Sequence, residues 1–236
     1  MSAFEELLKQ YRGEVNVAAT HFFAPLTDAA VIDNWARAWQ QLGRPAPHRL
    51  RSELNAAWGA SFRHYHDLRH LRECLGLLEL WKGQGERTAE VGVALWFHDG
   101  VFDPGAIDNE LRSAAWAARA LGEARVSSEV AQRVYDLVMA TQHAAHAAPV
   151  DGIDTRLLLD FDLAILGAPP ERFAGYEQDI RKEYAAVPSA VYRAGRRAVL
   201  QRFVAQGHIY HTAKARALLE AQARLNLQGA LERLAQ

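Results

Sequence analysis

The chain has 236 residues, 50% of them hydrophobic and 23% charged, enough for one domain with a substantial core. Its 27 basic residues nearly balance its 28 acidic ones, so no global field recruits nucleic acid or anionic membrane. The lone cysteine, Cys74, excludes an intrachain disulfide; with no signal-peptide core and no apolar run of about 18 residues, the sequence reads as cytoplasmic.

The predicted elements are all helices. Ala, Leu, Arg, Glu and Gln abound, apolar residues recur at three- and four-residue spacing, and no segment alternates as a strand would. Residues 1–27 are set apart as an extension or helix ahead of one domain over 28–230. A helix begins near Asp28 and carries Ile32, Trp35, Ala38, Trp39 and Leu42 until Gly43 and Pro45 stop it. A short helix covers 47–59. A third runs from Asp67 through Leu71, Cys74, Leu75 and Leu78 to the Gly83-Gln84-Gly85 turn. The fourth, about 86–99, bears His98-Asp99 at its carboxyl end.

After the Asp103-Pro104-Gly105 loop, Asp108 or Asn109 caps a helix to about 121. Ser127-Ser128-Glu129 opens the next, which ends near His143. An apolar helix over 154–166 contains Asp160 and Asp162, and Pro169-Pro170-Glu171 opens another. Two long helices, about 188–206 and 212–230, close the chain as a lid or wall. The six tryptophans read as core.

Three segments carry chemistry. His66 and His70, four residues apart, share a helix face. One helix, a turn and an antiparallel return would bring His70 back beside His98-Asp99, and Asp162 would complete the set from a later helix. Two imidazoles and two carboxylates suit one divalent cation and leave coordination positions for water and substrate. An aspartate at a helix carboxyl end opposes the helix dipole unless a cation compensates, and a charge in an apolar helix is costly unless paired. Asp103 and Glu110, just beyond the pair, are candidate general bases or water-positioning groups. His66 and His143 are candidates for a second metal or for donation to a phosphate oxygen. Arg63, Arg181, Lys182, Arg193 and Arg196 are candidate phosphate clamps.

The ordered set His70, His98-Asp99 and Asp162 resembles the signature of the HD superfamily of metal-dependent phosphohydrolases. The words Arg63-His64-Tyr65-His66-Asp67-Leu68-Arg69-His70-Leu71 and Leu95-Trp96-Phe97-His98-Asp99-Gly100-Val101-Phe102-Asp103-Pro104 resemble a bacterial subgroup of that superfamily. So do Leu159-Asp160-Phe161-Asp162-Leu163-Ala164-Ile165-Leu166-Gly167 and Glu183-Tyr184, over roughly residues 30–228. The resemblance implies an all-α HD-domain-like bundle around a metal site. Its ligands would be His70, His98, Asp99 and Asp162, with Asp162 favoured over Asp160 by its context. The ion would be Mn, Fe, Co, Ni, Zn or Mg, and the reaction hydrolysis of a phosphomonoester or nucleotide by a metal-activated water, with Asp99, Asp103 and Glu110 in catalytic roles. Asp67 stands where the subgroup is expected to have asparagine. Two other readings are kept: a metal- and nucleotide-binding signalling module without turnover, and a di-iron HD oxygenase using His66, Asp67 and His143.

Overall fold

The computed structural model describes residue 23 and residues 25–142 and 151–235. Among these the chain forms ten α-helices and no strand: α1 (Asp28–Gln41), α2 (His48–Trp58), α3 (Leu68–Leu80), α4 (Thr88–Phe97), α5 (Asn109–Glu123), α6 (Ser128–Ala140), α7 (Ile153–Asp162), α8 (Pro170–Glu183), α9 (Ser189–Ala205) and α10 (Ala213–Leu234). A 3₁₀ turn over Leu163–Gly167 follows α7 directly. The all-helical reading of the sequence therefore holds.

Local chemistry sets four of the ten helix starts. The side chains of Thr27, Asp67, Ser127 and Thr212 accept hydrogen bonds from first-turn N–H groups of α1, α3, α6 and α10. Such bonds satisfy donors that a helix start leaves free.

Helix α4 is the centre of the fold. Val91, Val93, Ala94, Leu95, Trp96 and Phe97 are all fully buried, and a helix apolar on every side belongs inside a core. It packs against α1, α3, α5, α6 and α7. Its buried Glu90 is matched by the Arg133 guanidinium of α6 through two bonds of 2.7 and 2.8 Å. Trp35 of α1 stacks edge-on against Trp96 and lies beside Trp39, so aromatic area ties α1 to α4. Burial of each such side chain contributes roughly 1.5–3 kcal/mol. A central helix of this kind carries its last residues deep into the protein, and the residue after Phe97 is His98.

Four details depart from the sequence reading, the first being that α3 starts at Leu68, so His66 lies in the turn ahead of it and does not share a helix face with His70. Helix α4 ends at Phe97, so His98 caps it and Asp99 lies in the turn beyond. Helix α7 ends at Asp162, where the backbone tightens into the 3₁₀ turn instead of continuing to 166. On α1, Val31 is buried while Ile32 is 46% exposed, because the core-facing stripe is 31, 34, 35, 38 and 39.

The carboxyl-terminal helices form a wall joined to α7. Asp160 accepts from His211 N at 2.6 Å, Thr212 N at 2.9 Å and Thr212 Oγ1 at 2.6 Å, which anchors the start of α10. Asp160 thus has a structural occupation, separate from Asp162. Helix α10 then presses on the 3₁₀ turn at Gly167. A Cβ there would meet Leu219 Cβ at 2.7 Å, Leu219 O at 2.8 Å and Tyr210 Oη at 2.9 Å. Gly167→Ala is expected to destabilise by about 1–3 kcal/mol, read as a lower urea midpoint. An unchanged midpoint would show that α10 can withdraw at no cost.

Candidate metal centre

Four side chains from three regions meet at the inner end of α4. His70 lies in the first turn of α3, started by the Asp67 cap; His98 ends α4; Asp99 follows it; Asp162 ends α7. Both histidines are buried, and the carboxylates are 19% and 15% exposed, so the cluster opens on its carboxylate side. His70 Nε2 is 3.2 Å from His98 Nε2 and 3.2 Å from Asp162 Oδ1. His98 Nε2 is 3.2 Å from Asp99 Oδ2 and 3.6 Å from Asp162 Oδ1. One ligand atom from each of the four lies within 4.8 Å of all the others.

These spacings fit a cation. Donors about 2.1 Å from one ion stand about 3.0 Å apart in an octahedron and about 3.4 Å apart in a tetrahedron. The tautomers fit as well. His98 Nδ1 is 2.8 Å from the Leu95 carbonyl, which can only accept, so Nδ1 carries the proton and the Nε2 lone pair points at the carboxylates. His70 Nδ1 is 3.2 Å from Tyr65 Oη, which engages that nitrogen outside the cluster, while Nε2 lies among the other ligand atoms. Trp58 packs beside both rings, its Nε1 donating to Trp96 O at 2.9 Å.

The cluster's own electrostatics call for positive charge. Burial would push His98 down, but the Asp99 charge and the hydrogen bonds to Asp162 and Asp99 hold it well above the ordinary histidine value. Burial would likewise raise Asp99, yet the His98 and His66 imidazoles hold it well below the carboxylate range. A proton on His98 Nε2 thus takes the place a cation would fill. That proton must leave before a cation binds, so Mn(II) affinity is expected to rise with pH by up to about tenfold per unit while His98 is still protonated. Calorimetry across the neutral range checks this, and an affinity independent of pH would contradict it.

Around the cluster, the structure gives several candidate residues different partners from those read in the sequence. Arg63 is buried; its guanidinium donates to His66 O at 2.9 Å, Asp99 O at 2.7 Å and Gly100 O at 3.1 Å, and lies over the Trp58 and Phe102 rings. It clasps the His66 and Asp99 backbones together instead of reaching for phosphate. Arg181 donates to Tyr184 O at 2.5 Å and Val187 O at 3.2 Å, closing the loop after α8. Arg196 is held by Glu177 and by Tyr176 Oη, and Lys182 pairs with Asp179. Arg193 is exposed on α9. Asp67 Oδ1 accepts from Arg69 N and His70 N, so its carboxylate is engaged as a cap. Asp103 is exposed, its Oδ1 accepting from Gly105 N in the loop. Glu110 sits half-buried in the first turn of α5. His143 lies outside the described residues.

Glu183 is the residue that sequence reasoning passed over. From the end of α8 its Oε1 accepts from the N–H groups of His64, Tyr65 and His66 at 2.8, 2.8 and 2.9 Å, while Oε2 lies 2.7 Å from His66 Nδ1. The Glu183-Tyr184 word was its only trace in the sequence. Cys74 also adjoins the site; its thiol is raised well above the ordinary value by burial, then by the Asp162, Glu73 and Asp99 charges, and it donates to Phe161 O at 3.6 Å.

No protein-family model matches the chain, and no curated protein or solved structure matches it. Among the described residues, no helix is long and apolar enough to cross a membrane. The fold and site define an all-helical protein with a His₂Asp₂ cluster able to hold a divalent cation.

Proposed function

We propose that this chain is a cytoplasmic, metal-dependent phosphohydrolase of the HD superfamily, acting on a phosphomonoester or nucleotide. The observation that carries the reading is the convergence of His70 Nε2, His98 Nε2 and carboxylate oxygens of Asp99 and Asp162, both histidines having Nδ1 occupied elsewhere. These four residues would hold the ion, and the mixed nitrogen and oxygen set suits Mn, Fe, Co, Ni or Zn better than Mg. The bound ion would supply Lewis-acid polarisation of a phosphoryl oxygen and a water of lowered pKa. The chain's part is to fix geometry: Leu95 O and Tyr65 Oη orient the imidazoles, and Arg63 holds the Asp99 backbone against that of His66. The partly exposed carboxylates give substrate its approach.

The test is phosphate release from a panel of phosphomonoesters and nucleotides by chelator-stripped protein reloaded with Mn(II). Turnover that needs the metal and disappears in Asp162→Asn is the expected result. Saturable nucleotide binding without product would replace it with a non-catalytic module. Two irons per chain with oxygen consumption would replace it with an oxygenase, a reading weakened by the engagement of Asp67 as a helix cap.

A further inference from the structure

We propose that His66 is the general base of this site and that Glu183 is the positioning residue that makes it one. The inference rests on the phosphohydrolase reading above and assigns its proton transfer. Glu183 has a fully buried side chain and accepts from three successive backbone N–H groups, those of His64, Tyr65 and His66. Its second oxygen, 2.7 Å from His66 Nδ1, is a carboxylate oxygen and can only accept. Nδ1 of the neutral ring therefore carries the proton, and the lone pair is confined to Nε2 on the far side of the ring.

The ring has little freedom to place that lone pair elsewhere. It stacks on Phe102 at 4.3 Å and 29°, stands edge-on to Tyr65 at 4.9 Å, and meets His70 edge-on with centroids 6.2 Å apart. Besides Glu183, the charges acting on it most strongly are Asp99 and Asp162, the two carboxylates of the metal centre. Its side chain is 22% exposed, so water reaches the ring, and among the described residues Nε2 makes no hydrogen bond. His66 also stands outside the group of converging ligand atoms, which frees it for proton transfer. A buried acceptor that fixes a histidine's tautomer and leaves the other nitrogen's lone pair free is how an imidazole is prepared as a base.

In the step, a water O–H bond breaks toward His66 Nε2 as the water oxygen bonds to phosphorus. The bond from phosphorus to the leaving oxygen breaks, and that oxygen takes the proton back from Nε2. The products are an alcohol and inorganic phosphate, and His66 is regenerated neutral.

Glu183→Gln separates this from a structural role. The amide oxygen still serves the three backbone donors, but the amide NH₂ faces His66 Nδ1, which must then accept. The ring proton moves to Nε2, and that nitrogen loses its lone pair. Two readouts are taken on Mn(II)-reloaded and metal-free wild type, Glu183→Gln and His66→Gln. The first is the nitrogen-15 signature of the His66 tautomer in metal-free protein at a pH where the ring is neutral. The second is steady-state kinetics on the substrate identified by the phosphate-release panel, with Mn(II) affinity measured alongside.

The expected result is an Nδ1–H tautomer in wild type, an Nε2–H tautomer in Glu183→Gln, and kcat lowered about 10²- to 10⁴-fold in both variants. KM and Mn(II) affinity are expected to stay within about threefold of wild type, the pattern of an interaction made in the transition state. An Nε2–H tautomer in wild type overturns the proposal without reference to turnover. So does kcat within a few-fold of wild type in His66→Gln, a variant that decides the kinetics even where Glu183→Gln does not fold. A wild type that holds Mn(II) and shows the Nδ1–H tautomer but turns over no substrate overturns the phosphohydrolase reading and the base role with it. That failure is distinct from a tautomer failure.

Discussion

The wild-type chain is expected to bind Mn(II) with micromolar or tighter affinity, and Asp99→Ala is expected to abolish both that binding and the proposed hydrolysis. Asp99 Oδ2 lies 3.2 Å from His98 Nε2 and 3.8 Å from His70 Nε2, closing one side of the donor cluster. Its loss leaves two imidazoles and one carboxylate and removes half the negative charge that draws a cation inward. Metal that binds only the folded state at 100 times its Kd stabilises by about 2.7 kcal/mol. For a chain of this size that is worth roughly 5–10 °C in Tm. Calorimetry and thermal melts with and without Mn(II) read the effect together: wild type gains the shift and Asp99→Ala does not. Equal binding by the two proteins would remove this cluster as the metal centre and place a structural or binding role ahead of the enzyme.

Arg63→Ala is expected to be strongly destabilising, by roughly 2–5 kcal/mol, through the hydrogen bonds it removes and the acceptors it strands. The guanidinium is buried, and its desolvation is offset by three carbonyl acceptors and two aromatic faces. Removal leaves those carbonyls short of a donor, each costing about 1–3 kcal/mol if no water replaces it. It also releases the Asp99 backbone from that of His66, so Mn(II) affinity falls too. Lysine does not restore the clasp, because an ammonium lacks the planar fork that spans the His66, Asp99 and Gly100 carbonyls. Urea unfolding of Arg63→Ala and Arg63→Lys checks this; midpoints within experimental error of wild type would mean the clasp contributes nothing to folding.

These two residues show how differently the sequence speaks about parts of one site. His98-Asp99 could be read locally, since a charged pair ending a wholly apolar run is an anomaly that a cation resolves. Arg63 could not. Its functional reading as a phosphate clamp followed from guanidinium chemistry alone, whereas its acceptors on Asp99 and Gly100 lie 36 and 37 residues further along the chain. Arg196 repeats the lesson, held by Tyr176 and Glu177 some twenty residues earlier, whereas Arg181 is satisfied by carbonyls of the loop that follows it. Glu183 is the extreme case. It reaches the His64–His66 backbone across 117 to 119 residues, and a glutamate near a helix end carries no signal of that task.

What the sequence determined by itself was the helical class, the approximate extent of most described helices, the capping residue Ser127 and, through the family resemblance, the composition of the donor set. All depend on spacing along the chain, where periodicity and side-chain type act over a few residues. Only the tertiary structure decided that α4 stops at Phe97, that α7 gives way to a 3₁₀ turn at Asp162, and that Asp160, set aside in favour of Asp162 as a ligand, anchors α10. The two aspartates are two residues apart on one helix and therefore point to different sides. Which side meets α10 and which meets His70 is set by how α7 packs, and packing is a property of the whole core.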